Sequence, residues 1–574
     1  MKFQLKYEPA LILLFVLASV FIFTNLGSVY LWEDEAETAL VAKTIWSHGI
    51  PKITDGINYF YQEQGRRVGY GDIWAWTPWL QFYIAAISAK LFGTSEWSLR
   101  LPFAIAGFLS VVLFFRTSKK LFGHFTALLS TFLLISSVPF LLHVRQCRYY
   151  SFVILGTLWA INALLNITEN NKKPFSISLF CALLILFHAN YITWFGVLFS
   201  ILVFAFFPTV VHFRKSILIT LGSSFALNLP WFLLFKPLHE KTRDFDFGII
   251  LESITFYFEN LNHYIVPFVF LLLIPIALRL IPKKENESIL SSSQKTWIWF
   301  FVMLIVFTVF FSLLGPARVF RYLVGIIPIL ILLVSILIMR LWQKSKLVVC
   351  FIVPFYMFTN FFNIFFYQPI SNQVPSLSGH LKGRFGSPFI SYIQELIHPP
   401  QGTIKKISEY LNLHASSKDL VIATYGDLPL MFYTRLRVIG GLSFQALEEA
   451  KAADWVIARK VLVSDEDARV MVYLIDNLPW KRYEKIDLGQ TDFPWENIPE
   501  PSAHQFKSLG FNPDWQIQIY RKLKPEEASR NPDPPKIFYF TPMQKVIFGT
   551  HELKKELTYY LLWLRERTGH SETL

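Results

Sequence analysis

Cysteine is scarce in this 574-residue chain, and so is charge. The cysteines are Cys147, Cys181 and Cys350, all in or beside hydrophobic runs, so no disulfide framework and no zinc site is predicted. Charged residues make up 17% of the sequence, against about 25% in typical soluble domains. No GxGxxG motif or P-loop stands at a predicted strand end, so no nucleotide site is predicted, and no internal repeat is evident.

Apolar residues are abundant instead: 53% of the chain is hydrophobic and the mean hydropathy is +0.40. A transmembrane helix needs about 20 mostly apolar residues. About eleven runs meet that description, at 9–31, 98–115, 124–143, 149–168, 175–190, 192–211, 217–236, 262–281, 296–314, 322–341 and 347–367. The sequence therefore predicts a polytopic α-helical membrane protein with about 11 transmembrane helices.

Basic residues in the short loops predict the orientation. They precede the first run and then occur in alternate connections: Lys2, Lys6, Arg116, Lys119, Lys120, Lys172, Lys173, Arg214, Lys215, Lys283, Lys284, Arg340, Lys344 and Lys346. The positive-inside rule then predicts a cytoplasmic (inner) membrane protein with a cytoplasmic N-terminus. The first run is too long for a signal peptide, and no small-residue cleavage site follows it. These loops account for much of the net charge of +13, so no nucleic-acid partner is predicted.

Two parts of the chain are expected outside the cytoplasm. The loop 32–97 is predicted to hold two juxtamembrane helices, over 34–48 and 74–93. Residues 369–574 are predicted to form an extracytoplasmic α/β domain, in which short apolar runs read as strands of a largely parallel sheet. The predicted strands are 419–425, 437–441, 454–460 and 515–523, and the predicted helices are 402–413, 444–452, 465–477 and a C-terminal one near 551–567.

An acidic cluster, Glu33, Asp34 and Glu35, directly follows the first hydrophobic run in the stretch GSVYLWEDEAETALVAKTIW. Acids at a helix N-terminus complement the helix dipole by at most about 1 kcal/mol, which is one explanation for them. A functional role is the other. The residues found at other external ends of the predicted spans favour the functional explanation.

Three of those ends carry polar residues that membrane topology does not require. They are Arg145, Arg148 and Tyr149 in HVRQCRYYSF, His188, Asn190 and Tyr191 in FHANYITW, and Arg318, Arg321 and Tyr322 in GPARVFRYLVGIIP. Arginine binds phosphate bidentately, and a neighbouring carboxylate can act as a general base. The set suits a transfer from a lipid-linked phosphate donor. Alternatively each arginine snorkels to lipid phosphates, and His188 is a hydrogen-bonded structural residue.

These features together resemble the GT-C membrane glycosyltransferases, in particular the branch of protein O-mannosyltransferases and lipid A aminoarabinose transferases. Asp34-Glu35 is similar to the Asp-Glu pair after the first span of that branch. LFGTSEWSLRLPFAIAGFLS (91–110), RQCRYYSF and RYLVGIIP are similar to its later motifs. The resemblance covers roughly residues 1–370, and over the C-terminal domain it concerns the architecture alone.

The resemblance implies catalysis on the outer face with a polyprenyl-phosphate-linked sugar as donor and Asp34 as catalytic base. Glu35 would position Asp34 or a cation, and arginines including Arg145, Arg148 and Arg321 would hold the donor phosphate during an inverting displacement. A divalent cation, Mg²⁺ or Mn²⁺, is compatible with carboxylates meeting phosphate, but no complete ligand set is readable. A KPP-type motif of the family is replaced by WAWTPW, and no aspartate follows the third span.

Several alternatives stay open at this stage. A transporter or flippase of lipid-linked saccharides would show inverted repeats and broken helices with midplane charges, and the sequence shows neither. A membrane-anchored binding scaffold would not need so many spans. An oligosaccharide ligase with two lipid-linked partners is a variant of the enzyme hypothesis. The acceptor is a glycan, a lipid or a protein.

Overall fold

A computed structural model describes most of the chain. The described residues are 9–60, 71–170, 175–235, 247–280, 290–315, 318–363, 386–440, 449–459, 474, 477–492, 497–500, 504 and 516–524. The predicted helices near 444–452, 465–477 and 551–567 lie wholly or mostly outside these residues, and 449–452 is a 3-10 turn.

Helices dominate the described part of the chain. In order they are α1 Pro9–Phe23, α2 Glu33–His48, α3 Leu80–Phe92, α4 Glu96–Phe122, α5 His124–Ile135, α6 Val138–Val144, α7 Tyr150–Asn170, α8 Ile177–Ala189, α9 Tyr191–Phe204, α10 Arg214–Phe235, α11 Phe247–Tyr264, α12 Phe268–Leu280, α13 Ser292–Leu313, α14 Ile327–Lys344, α15 Lys346–Phe358, α16 Pro388–Ile397, α17 Thr403–His414 and α18 Asp427–Tyr433. A 3-10 turn, Phe320–Ile326, leads directly into α14.

Within the described residues five helices are long and apolar enough to cross a membrane, or up to seven if each of two bent pairs is one span. Each of the eleven predicted runs coincides with an apolar helix or a bent pair. However, α1, α8, α9 and α15 have only 15, 13, 14 and 13 residues, fewer than the roughly 20 that a perpendicular span needs. A membrane protein with at least five candidate spans is thus supported, and the number eleven stays a prediction.

Three predicted helices differ in shape from the structure. The run 124–143 is a pair, α5 and α6, bent by 67°, and 262–281 falls on α11 and α12, bent by 87°. Proline explains both bends, because Pro139 lies in the first turn of α6 and Pro267 directly precedes α12. The loop helix predicted over 74–93 begins only at Leu80, after a turn that includes Pro78.

A five-stranded sheet lies in the C-terminal part. Its strands are β1 Leu420–Ala423, β2 Arg437–Gly440, β3 Trp455–Ile457, β4 Tyr483–Thr491 and β5 Gln516–Lys522, in the order β2-β1-β3-β5-β4. The strand β1 pairs parallel with β2 and β3, whereas β5 pairs antiparallel with β3 and β4. The sheet is therefore mixed rather than largely parallel. The strand β4 was not predicted, because YEKIDLGQT is an edge strand whose side chains are mostly exposed or half-buried.

The helix α2 lies between the spanning helices and the sheet. One core cluster joins Leu40 of α2 and Phe82 of α3 to Leu428 of α18 and Ile519 of β5. The Asn58 side chain pairs with the β2 edge, accepting from Val438 N at 2.8 Å and donating to the Leu436 carbonyl at 3.1 Å. The segment 32–60, which includes α2, therefore packs together with the sheet. This packing places the sheet beside α2.

Candidate active site

The first turn of α2 buries its acids instead of exposing them to water. Each of these four acids is at most 5% exposed: Glu33, Asp34, Glu35 and Glu37. An ionised carboxylate removed from water is costly unless charged or hydrogen-bonding partners compensate for the loss of hydration. The stabilisation that a helix dipole gives to acids at its N-terminus is too small to offset the burial of four such groups. Their partners therefore define the site.

Asp34 meets cationic and phenolic groups from two other elements. Its Oδ2 accepts a hydrogen bond from Arg321 Nη1, and Arg148 Nη2 lies 3.5 Å from the same oxygen. The Tyr150 hydroxyl donates to it at 3.4 Å. Tyr150 is the first residue of α7 and Arg148 lies in the turn before that helix, whereas Arg321 comes from the turn before α14. The structure thus brings together Asp34, Arg148 and Arg321, which are far apart in the sequence.

The two arginines differ in how firmly they are held. Arg148 Nη1 donates to Glu37 Oε1 at 2.5 Å and to Thr38 Oγ1 at 3.1 Å, and its side chain is 6% exposed. Burial raises the pKa of Glu37 above its ordinary value, an effect that Arg148 opposes. The Arg321 side chain is 23% exposed, so it is the arginine within reach of a ligand.

Glu35 faces a different partner from Asp34. Its two oxygens accept from Arg100 Nε and Nη2 at 2.8 and 2.7 Å, and Oε1 also accepts from the Cys147 main chain at 2.7 Å. Arg100 Nη1 donates further to the carbonyls of Leu26 and Val29 at 2.9 and 2.8 Å. This network fixes the turn between α1 and α2, and with it the start of the helix that carries Asp34.

The C-terminal part contributes two residues that the sequence analysis missed. Glu500 Oε2 accepts from Phe320 N at 2.9 Å, and its Oε1 accepts from Arg321 N at 3.3 Å. Asn497 Nδ2 donates to Glu35 Oε2 at 3.3 Å. No motif marks them, because their importance arises only when the chain folds back onto α2.

Arg145 and Tyr149 flank Arg148 in sequence but have other contacts. Arg145 Nη1 donates to the carbonyls of Phe21 and Ile22 at 3.1 and 2.8 Å, so it caps the end of α1. This explains why the helix predicted to reach residue 31 ends at Phe23. The main chain of Tyr149 donates to Gln81 Oε1 at 3.2 Å, and its ring packs against Tyr150, 4.8 Å between centroids.

The residues predicted after the fifth span form an aromatic cluster. Trp231 Nε1 donates to the Tyr191 hydroxyl at 2.5 Å, and the His188 ring lies 5.2 Å from the Trp231 ring, edge to face. Asn190 caps α9 by accepting from Thr193 N at 3.0 Å. None of these contacts involves Asp34.

The remaining predicted pair lies close to Arg321 in sequence. Tyr322 is buried against Gly315, where a Cβ would meet its ring at 2.7 Å. Arg318 Nη1 pairs with Glu252 of α11 at 2.6 Å. Within the described part of the chain, Arg318 Nε and Nη2 are buried and have no hydrogen-bond partner. Arg318 thus retains buried donors that can serve an anion.

A family match falls on the middle of this architecture. Residues 77–233 match the family described as dolichyl-phosphate-mannose-protein mannosyltransferase. The matched segment includes Arg100, Arg148 and Tyr150 and ends within α10. The similarity to this family therefore concerns the segment 77–233. The predicted resemblance to membrane glycosyltransferases of this class is confirmed.

Individual proteins are similar to larger parts of the chain. ArnT from Cupriavidus metallidurans bound to undecaprenyl phosphate is 11% identical, with a TM-score of 0.47 over 89% of this chain and 97% of that chain. AglB from Archaeoglobus fulgidus, in complex with an inhibitory peptide and a dolichol-phosphate, is 13% identical, with a TM-score of 0.45 over 84% and 70%. YycA of Bacillus subtilis (strain 168), named as a candidate mannosyltransferase, is 24% identical over 244 residues. That alignment spans 42% of this chain and 34% of the relative's length.

The described residues do not fit a divalent cation at Asp34. None of them forms a group of three or more His, Cys, Asp or Glu side chains placed to hold a metal ion. Arg148 and Arg321 both approach Asp34 Oδ2, and two positive charges there disfavour a third. The chemistry proposed below is therefore assigned to side chains alone.

Proposed function

We propose that this protein transfers a sugar from a polyprenyl-phosphate-linked donor to an acceptor hydroxyl, with inversion, at the outer face of the cytoplasmic membrane. The observation that supports this most is the buried carboxylate of Asp34 beside the partly exposed Arg321. Such a pair offers a proton acceptor and a phosphate ligand side by side. The family match, whose description names a dolichyl-phosphate-linked sugar, supports the donor class.

Donor binding would redistribute the charges around Asp34. Arg321 contacts a carboxylate oxygen, and a phosphate oxygen has similar hydrogen-bonding chemistry and more charge. A donor phosphate would therefore compete for Arg321 and leave Asp34 more basic. Arg148, tied to Glu37 and Thr38, would stay in place and hold the carboxylate. The free donors of Arg318 would give the phosphate a second cationic partner.

The transfer itself needs one proton acceptor and one stabilised leaving group. An Oδ atom of Asp34 takes the acceptor hydroxyl proton while that oxygen attacks the anomeric carbon from the side opposite the phosphate. The bond between the anomeric carbon and the phosphate oxygen breaks, and its electron pair leaves with the polyprenyl phosphate. Arg321 neutralises the negative charge that grows on the phosphate as it departs.

The other predicted site residues have supporting parts in this proposal. Glu35 positions Asp34 through Arg100 and the turn before α2 rather than acting on the substrate. Tyr149 supports Tyr150, and His188 with Tyr191 provides an aromatic wall for the apolar part of the donor. The contacts of Arg145, Asn190 and Tyr322 are those of residues that shape the site.

The test offers purified protein a panel of labelled polyprenyl-phosphate sugars, including mannose, with native membrane extract as acceptor. Asp34→Asn is the test variant. Asp55→Asn is the matched control, because Asp55 is an exposed acid of the same loop. We expect a labelled product of inverted anomeric configuration with wild type and Asp55→Asn, and none with Asp34→Asn.

The outcomes separate the rival functions. Full activity of folded Asp34→Asn would disprove the proposed base. Release of polyprenyl phosphate without a labelled acceptor product would indicate hydrolysis and a missing acceptor. Failure of wild type to consume any donor would contradict the transferase, and a flipping assay with the same lipids would then test the transporter.

A further inference from the structure

The described stretch Asn497–Glu500, with His504, forms a bridge between the C-terminal part and the candidate active site. At one end of this bridge Gln146 Nε2 donates to the Asn497 carbonyl at 3.0 Å. On the other side, His504 Nε2 lies 3.2 Å from Glu395 Oε2 of α16. The two ends are joined locally, since His504 N donates to the Glu500 carbonyl at 2.8 Å. The bridge is thus anchored at both ends, with Glu500 between them.

Glu500 is held more closely than a surface acid would be. It is 3% exposed, and its two oxygens accept from consecutive main-chain N–H groups, those of Phe320 and Arg321. The Arg321 Nε atom lies 3.9 Å from Glu500 Oε1, while Nη1 of the same side chain contacts Asp34. Arg321 therefore stands between two carboxylates, one from α2 and one from the bridge.

We propose that Glu500 is a positioning residue of the active site, which fixes Arg321 so that its guanidinium meets Asp34 and the donor phosphate. This inference rests on the proposed transferase function. It gives the C-terminal part a definite task, because the bridge supplies a second carboxylate beside Arg321. Glu500 itself contacts neither the acceptor nor the sugar.

The chemistry of the side chain explains why glutamate stands at this position. A carboxylate accepts two N–H bonds with separate oxygens and still offers charge to a guanidinium. Glutamine at this position keeps the size of the side chain but has one oxygen and one NH₂ group. One of the two main-chain N–H groups would then face a donor, and the turn that carries Arg321 would shift.

The environment of Glu500 supplies an independent readout. Burial raises the pKa of Glu500 to about 7, and the nearby Asp34 adds to that effect, whereas Arg321 and the two main-chain N–H groups oppose it. Arg321 and Asp34 are charged groups that face it from the turn before α14 and from α2, and the titratable Tyr149 faces it from the turn before α7. As the pH falls below about 7 the carboxylate takes up a proton and loses its charge toward Arg321. Activity in wild type is therefore expected to decline on the acid side of this value.

The experiment measures kcat and KM for transfer from labelled polyprenyl-phosphate mannose, or from the donor that the panel identifies, between pH 5.5 and 9. The variants are Glu500→Gln, Glu500→Asp and the control Glu484→Gln. Glu484 lies in the same part of the chain but pairs with Arg521 at an exposed site. We expect Glu500→Gln to lower kcat about 10- to 100-fold, as small misplacements of a catalytic group do, with a smaller change in KM. The ionisation near pH 7 should vanish in Glu500→Gln and persist in Glu500→Asp, which should recover part of kcat.

Each result has a definite consequence. A wild-type kcat and pH profile in Glu500→Gln would overturn the positioning role while leaving the transferase intact. If Glu500→Gln does not fold, Glu500→Asp decides, and retention of full wild-type kcat by that variant would overturn the inference. An inactive wild type would overturn the proposed function, and this inference with it.

Discussion

Two of the buried arginine–carboxylate clusters among the described residues differ in how far solvent reaches them. In the sheet region Arg459 and Asp492 are each 1% exposed, with Nη2 and Oδ1 2.7 Å apart, and Arg459 also donates to the Tyr425 carbonyl at 3.3 Å. Around Asp34, several charges share partners and one of them, Arg321, is 23% exposed. The sealed pair is suited to hold a fold together. The open one can exchange a protein partner for a ligand.

The largest effect is expected from breaking the sealed pair. Asp492→Asn removes the Asp492 charge from beside the buried Arg459 guanidinium, which should cost about 3–5 kcal/mol of stability. Thermal unfolding in detergent should show a lower midpoint, while kcat per folded molecule stays near wild type. A large loss of kcat in the folded fraction would contradict a purely structural role for this pair.

The next effect is expected from the open cluster. Arg321→Lys keeps a positive charge but loses the planar fork that can bridge Asp34 and a phosphate. We expect kcat to fall about 100-fold, a figure typical for removal of one stabilising donor, with little change in the unfolding midpoint. The control is Arg521→Lys in the exposed pair with Glu484, which should leave both quantities unchanged. Equal losses of kcat in Arg321→Lys and Arg521→Lys would show that Arg321 matters no more to transfer than an exposed arginine.

The smallest effect concerns the phenol beside Asp34. Tyr150→Phe removes one hydroxyl whose bond to Asp34 Oδ2 is long, at 3.4 Å. A loss of about 1 kcal/mol, or roughly fivefold in kcat, is expected for a hydrogen bond of this kind. Steady-state kinetics of the variant at saturating donor would measure it. A hundredfold loss would instead make Tyr150 a principal catalytic group.

The sequence alone indicated that Asp34 lies in a functional cluster, but it did not indicate which residues pair with which. An acidic cluster directly after a hydrophobic run is visible in sequence, and so are the arginines at other span ends. The sequence did not distinguish the contacts of Arg145 from those of Arg148. The tight turn between α6 and α7 directs Arg145 to α1 and Arg148 to α2. For Glu35 the sequence predicted a role in positioning Asp34 or a cation, but it did not indicate the partner Arg100, because Arg100 lies inside a hydrophobic run.

The fold shows the same division between local and long-range information. Among the described residues, apolar runs coincide with each candidate spanning helix or bent pair, since such a run is recognised from its own composition. The bends at Pro139 and near Pro267, and the mixed order of the sheet, depend on packing between distant elements. Glu500 belongs to this class as well, because only the folded chain brings it to Arg321.

The most direct test compares Asp34→Asn with Asp492→Asn in one experiment, measuring transfer rate and unfolding midpoint for each purified protein. Both variants remove one negative charge from a buried arginine–carboxylate cluster and keep the side-chain volume. We predict that Asp34→Asn loses transfer at least a thousandfold, in line with loss of a general base and its charge, yet unfolds near the wild-type midpoint. Asp492→Asn should show the reverse pattern. Retention of wild-type transfer by Asp34→Asn would contradict the assignment of Asp34 as the base.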